Sequence, residues 1–207
     1  MSCSVCGQAC RPPFRVPPAE LAPDLDGRPG EPARSTLPKW VATCRQCGAA
    51  GPDLASLPAV AGEVVGRPGY AAERSPFLRW AMIAEAAGEA AQAAEAVLQA
   101  AWAADDAGED AAALRRRAAA GWQGDPLRKI DMLRRAGAFA EARAVAASVQ
   151  RPDEEARAIL EFQQARIEAG DTGRHLISSA LRPPARSPHV THGKAAPKGL
   201  FGRLFGR

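Results

Sequence analysis

Aromatic side chains are scarce in this chain. They make up 5% of 207 residues, and only one is a tyrosine. Hydrophobic content still reaches 46%, much of it alanine. Alanine packs helices closely but buries little area per residue. A β-sandwich is therefore disfavoured, and a mainly helical body is expected. Long apolar runs are also missing, so no segment is long enough to span a bilayer. The first ten residues carry three cysteines and no apolar stretch, and Pro12, Pro13, Pro17 and Pro18 follow. That pattern is not a secretory signal, and the cytoplasm is the expected location. Paired cysteines in that compartment more often bind metal than form disulfides.

Catalytic groups are equally sparse. The three histidines are His175, His189 and His192. His175 shows no cysteine or acid at ligand spacing, and His189 and His192 have no third ligand near them. No phosphate-cradling glycine loop and no nucleophile elbow occurs. No catalytic residue is assigned on sequence grounds. Acidic residues are absent from Arg182 to Arg207, which carries six basic ones. Residues 1–181 hold 21 basic and 23 acidic side chains, so the body is slightly acidic. This is not the basic footprint of a dedicated nucleic-acid-binding domain.

What the chain does have is two matching cysteine turns. The first reads Cys3-Ser-Val-Cys6-Gly7, the second Cys44-Arg-Gln-Cys47-Gly48. Two intervening residues let both thiolates of a turn face one ion. The following glycine permits positive φ, so that backbone N–H groups point at the sulfurs. Together the turns supply Cys3, Cys6, Cys44 and Cys47 as the four ligands of a closed tetrahedral Zn2+ site. A redox pair or an iron–sulfur centre are the competing readings. A redox C-x-x-C normally stands alone near a βαβ pattern, which is not visible here. Cys10 lacks a partner at that spacing and reads as a free thiol beside the site. Arg11, Arg15 and Arg45 are placed to offset the negative charge of four thiolates around one divalent ion.

Between the turns, Trp40-Val41 reads as a short strand leading into the second turn. The stretch from Asp24 to Thr36 is dense in opposite charges. It reads as a folded-over loop held by Asp–Arg pairs and Asx turns. As chemistry it is a polar binding loop, with Asp24, Asp26, Arg28 and Glu31 as the residues to inspect.

These features carry a resemblance. The combination Cys3-x-x-Cys6, Asp24-Leu-Asp26-x-Arg28-Pro29-x-Glu31-x-x-Arg34-Ser35-Thr36, Trp40-Val41 and Cys44-x-x-Cys47-Gly48-x-x-x-Pro52-Asp53-Leu54 resembles a family of uncharacterised bacterial proteins. That family joins a zinc ribbon to a tetratricopeptide-like helical region. The resemblance covers residues 1–57 well and the helical body loosely. Arg45 and Gln46 depart from the family's usual residues beside the second turn's cysteines, without touching the ligands. The resemblance implies architecture and no activity.

Residues 74–181 read as helices separated by glycine turns. Ser75-Pro76 and Asp125-Pro126 are N-caps followed by proline at the first helical position. Arg151-Pro152-Asp153-Glu154-Glu155 opens a third helix with acids in its first turn. Gly88, Gly108, Gly137 and Gly170 each end one helix and admit the next. The last two lie 33 residues apart, near a tetratricopeptide period, whereas the spacings of 20 and 29 before them fit no single period. Phe77, Leu78, Ala81 and Met82 fall at helical spacing, as do Val97, Leu98, Ala101 and Trp102. Trp80, Trp102 and Trp122 are expected in the core or at hairpin contacts. Arg115-Arg116-Arg117 reads as a solvated helix face with acidic partners at i,i+4.

The expected organisation is a zinc ribbon over 1–60, a linker over 61–73, a helical hairpin domain over 74–181 and a disordered basic tail over 182–207. The tail ends in a four-residue repeat that places Leu200, Phe201, Leu204 and Phe205 on one side of a helix. An anionic membrane surface or a partner groove would suit it. The functional expectation is a non-catalytic adaptor with a protein partner. The alternatives are nucleic-acid binding through Arg11, Arg15, Lys39 and Arg45, and an enzyme whose site lies near the Asp24–Thr36 loop.

Overall fold

The start signals act as local chemistry requires. In the computed structural model, which describes residues 1–181, the Ser75 hydroxyl accepts the Leu78 N–H and Asp125 accepts that of Leu127. Asp153 does the same for Ala156. These caps open three helices that each satisfy an orphan N–H at their first turn. All four glycines of the recurrent turn take positive φ.

The chain is mainly helical. A 3₁₀ helix, Arg34–Lys39, precedes the two-stranded antiparallel sheet of β1 (Ala42–Thr43) and β2 (Ala50–Gly51). Ala42 pairs with Gly51 and Thr43 with Ala50. Then follow α1 (Ala61–Val65), α2 (Pro68–Ala72), α3 (Pro76–Ala86), α4 (Ala90–Ala107), α5 (Ala112–Gly121), α6 (Pro126–Arg135), α7 (Phe139–Ser148), α8 (Glu154–Glu168) and α9 (Ile177–Leu181).

The central element is α4, which packs on α3 and α5. Its buried side includes Ala93, Ala96, Ala100, Ala101 and Ala104 around Val97, Leu98 and Trp102. The small side chains let neighbouring helices approach closely, so contact rather than bulk supplies the packing. Beyond α5, α6 packs against both α7 and α8. One hydrophobic cluster runs without a break from Cys3 and Cys44 through Leu57, Val64 and Trp80 to Ile130, Ala142 and Ile167.

Three local expectations are corrected. Residues 61–73, read as a linker, form α1 and α2, and Ala61, Val64 and Tyr70 are buried. The strand placed at Trp40-Val41 begins at Ala42 instead. Trp40 closes the 3₁₀ helix, where its indole N–H donates to Thr36 Oγ1 at 2.8 Å. Of the run Arg115-Arg116-Arg117, only the last two face solvent; Arg115 is buried beside Ala118 and Ala119. The helical period places position 115 on the inward face with 118 and 119. Its partner is Asp105 on α4, not an acid one turn along its own helix.

Trp80 and Trp102 are in the core, while Trp122 is half-buried and donates its indole N–H to the Asp125 carbonyl at 3.0 Å. No helix among the described residues is long and apolar enough to cross a membrane. His189, His192 and the Leu200–Phe205 repeat lie outside the described residues.

Candidate metal centre and the buried ion network

The two cysteine turns converge. Cys3 and Cys44 are buried, Cys6 and Cys47 half-buried, and all four sulfurs lie within 4.8 Å of one another. Cys6 Sγ is 3.6 Å from Cys44 Sγ, and Cys3 Sγ is 3.9 Å from Cys47 Sγ. With metal–sulfur bonds of about 2.3 Å, a regular tetrahedron spaces its sulfurs about 3.8 Å apart. The observed separations bracket that edge, and they are too long for an S–S bond. The donor set therefore fits one metal ion.

Local backbone explains the convergence. Gly7 and Gly48 take φ of 73° and 75°, as the C-x-x-C-Gly pattern requires. Each turn closes on itself, Gly7 N–H to the Cys3 carbonyl and Gly48 N–H to the Cys44 carbonyl, both at 2.9 Å. Burial raises the Cys44 thiol, but the N–H groups of Cys47 and Gln46 aimed at its sulfur outweigh burial and bring it down to about 7. Burial prevails at Cys47 over the Ala49 N–H, and with the sulfurs around it pushes that thiol up to about 12. Four thiols this close do not all ionise unaided. A cation at their centre supplies the charge that lets them. Cys10 is half-buried and is not part of this four-sulfur group.

Tyr70 holds the second turn from outside. Its hydroxyl donates to the Gly48 carbonyl at 3.1 Å and accepts the Ala50 N–H at 2.9 Å. The first turn is tied by Ser4 N–H to the Leu54 carbonyl at 2.9 Å. On β2, a Cβ added at Gly51 would lie 2.4 Å from Leu57 Cδ2 and 3.4 Å from Trp80 Cε3, so the glycine lets the Leu57 side chain close over the strand. Sequence reasoning missed Tyr70. The one available signal was that it is the sole tyrosine of an aromatic-poor chain.

The Asp24–Thr36 loop is held by Asp–Arg pairs, as expected, and its main partners are distant. Asp24 is buried and accepts from Arg34 at 3.0 Å and Arg174 at 2.9 Å. Asp26 is fully buried. It accepts the Trp102 indole N–H at 3.0 Å and Arg135 at 2.9 Å, with Arg115 at 3.8 Å. Its carbonyl accepts Arg128 Nε at 2.8 Å. Arg28, also buried, reaches the Trp102 carbonyl and Asp106 on α4. Arg115 and Arg135 share Asp105. Burial opposes the charge on Asp105, but the Arg115 and Arg135 guanidiniums hold its carboxyl below the ordinary range. Burial likewise opposes the charge on Arg135, and Asp26 and Asp105 outweigh it.

Three of the four loop residues singled out for chemistry are thus buried and engaged inside the chain. Glu31, the fourth, is exposed and accepts the Ser35 N–H at 3.1 Å. A second buried pair joins Asp131 to Arg134 at 2.7 Å. Burial pushes Asp131 up to about 6 against the pull of Arg134. His175 does have an acid at hand, contrary to its sequence reading: Nε2 lies 2.8 Å from Asp171 Oδ2, four residues earlier. Phe162 packs edge-on against its ring at 5.4 Å.

Neither a family model nor a curated protein nor a solved structure matches the chain.

Proposed function

We propose that this protein is a non-catalytic adaptor whose N-terminal segment is clamped by one Zn2+ ion. The convergence of four thiols within 4.8 Å carries the reading. Two N–H-cradled C-x-x-C turns with sulfurs near tetrahedral separation suit Zn2+, which tolerates four thiolates without redox change or a vacant position. Such a site organises structure and leaves no coordination position for a substrate. The segment 1–60 is then a zinc ribbon, and the helical pairs beyond it are tetratricopeptide-like in their turns.

The partner is a protein. Support comes from a groove of about 340 Å³ over α3 and α4, lined by Trp80, Ala91, Gln92, Glu95, Ala96 and Gln99. An apolar floor with amide and carboxylate rims suits a partner's amphipathic helix. The test has two readouts. Metal analysis of the purified protein is expected to give one zinc per chain, lost in Cys44→Ser. Cross-linking and mass spectrometry on the full chain are expected to give one dominant partner, lost in Ala91→Arg. Turnover in an activity screen, with no partner recovered, would overturn the adaptor reading. An iron-containing chromophore would overturn zinc.

A further inference from the structure

Most arginines of the body are answered by an acid. Arg28, Arg34, Arg67, Arg115, Arg117, Arg128, Arg134, Arg135, Arg166 and Arg174 all take part in ion pairs. The metal-site segment differs. From Met1 to Ala19 and from Leu37 to Pro52 there is no acidic residue, and those stretches hold Arg11, Arg15, Lys39 and Arg45. All four are exposed, and none has an acidic partner among the described residues. Sequence counting hid this, because the net charge of residues 1–181 averages over an acidic helical body.

The fold brings two of these charges into one groove and sets a third beside an exposed ring. Arg11 and Arg45, 34 positions apart in sequence, line one groove of about 440 Å³ with Gln8, Cys10 and Thr43. Lys39 stands 5.5 Å from the Phe14 ring centre, and that ring is exposed. Arg15 follows it directly. A zinc ion on four thiolates contributes about −2. The four side-chain cations exceed that, so these two acid-free stretches together stay positive with the ion bound.

We infer that this face binds single-stranded nucleic acid, with Arg11 and Arg45 taking phosphates in the groove and Phe14 offering a base a stacking surface. Spaced cations without intervening acids track a polyanion. An exposed ring beside Lys39 and Arg15 distinguishes a nucleic acid from a bare anion. The cations give affinity and salt dependence, and no residue here reads a base edge, so little sequence preference is expected. The adaptor reading does not depend on this inference, and the two fail separately.

The experiment uses the full-length, zinc-loaded protein and a fluorescein-labelled 15-nucleotide oligo(dT), read by fluorescence anisotropy from about 25 to 200 mM salt. With Lys39 and Arg15 also meeting phosphates, four contacts give a log–log salt slope of about −3 on a single strand, and Arg11→Gln with Arg45→Gln brings it to about −1.5. The same pair weakens binding at low salt by about tenfold or more. Phe14→Ala weakens it about fivefold or more without changing the slope. Zinc content confirms that each variant stays folded at the site. The full basic C-terminal stretch is present throughout. If the double variant binds as wild type does, the contact lies elsewhere and the inference fails. It also fails if oligo(dT) does not bind at low salt. It fails again if poly-glutamate displaces the oligonucleotide at equal charge concentration, which would mark an acidic-peptide site.

Discussion

Asp26 shows how much one buried carboxylate can organise. It accepts from an indole N–H and a guanidinium, with a second guanidinium close by, and its own carbonyl receives a third. These groups come from α4, α5 and α6. Removing the charge leaves the buried Arg115 and Arg135 to share the single charge of Asp105. Asp26→Asn is expected to destabilise the fold by about 3–5 kcal/mol. Urea unfolding with zinc present measures this, and a change under about 1 kcal/mol would refute the central role given to Asp26. Asp131 makes the opposite prediction with pH. Its folded pKa, about 6, lies above the ordinary 3.8, so the folded state holds the proton more tightly. Stability linked to this group therefore falls as pH rises from about 4 to 6 and is level above that. Asp105, held low, works the other way and loses its contribution as pH drops below its ordinary value. Carboxyl-carbon NMR of Asp131 is expected to show a midpoint near 6; a midpoint at or below 3.8 contradicts the burial argument.

At the scale of elements, α2 is five residues long, too short to be stable alone. It persists because Tyr70 is buried and its hydroxyl bridges the Gly48 carbonyl and the Ala50 N–H. The same two bonds hold the second cysteine turn. Tyr70→Phe keeps the ring and strands both backbone groups, at a cost of about 1–3 kcal/mol. Transfer of the bound metal to a chromophoric chelator is expected to run faster in that variant. Unchanged transfer would mean that the turn needs no support from α2. The cysteine spacing was legible because a metal turn is a local pattern. The support was not, because a contact across twenty residues leaves no periodicity behind. The Arg115 run illustrates the same limit: charge alone suggested a wet face, and only the packing of α5 on α4 revealed an inward arginine.

For the whole molecule, the chain is fastened across its length. Leu25 N–H donates to the His175 carbonyl and Ile177 N–H to that of Pro23. Arg174 adds a charge contact to Asp24. Since one core also runs from the cysteines into the helices, losing the metal should be felt beyond residue 60. Zinc–thiolate sites contribute roughly 10–16 kcal/mol in small peptides. Chelation is expected to lower the thermal midpoint of the helical signal in far-UV circular dichroism. Superimposable melts with and without chelator would show that the two regions are energetically independent.

By itself, the sequence determined the four converging cysteines, the helical class and the helix boundaries at Ser75, Asp125 and Asp153. The two cysteine turns and the helix starts rest on groups a few residues apart, where backbone geometry leaves little choice, and the matching spacing of the two turns pointed to one shared site. Only the tertiary structure decided what the charged Asp24–Thr36 loop is for. Its acids meet arginines up to 150 positions away, and a buried charge takes the partner that folding delivers, not the nearest one in the chain. The tertiary structure also separated the unanswered cations around the metal site from the answered ones in the body, because pairing depends on position in space and a net charge does not.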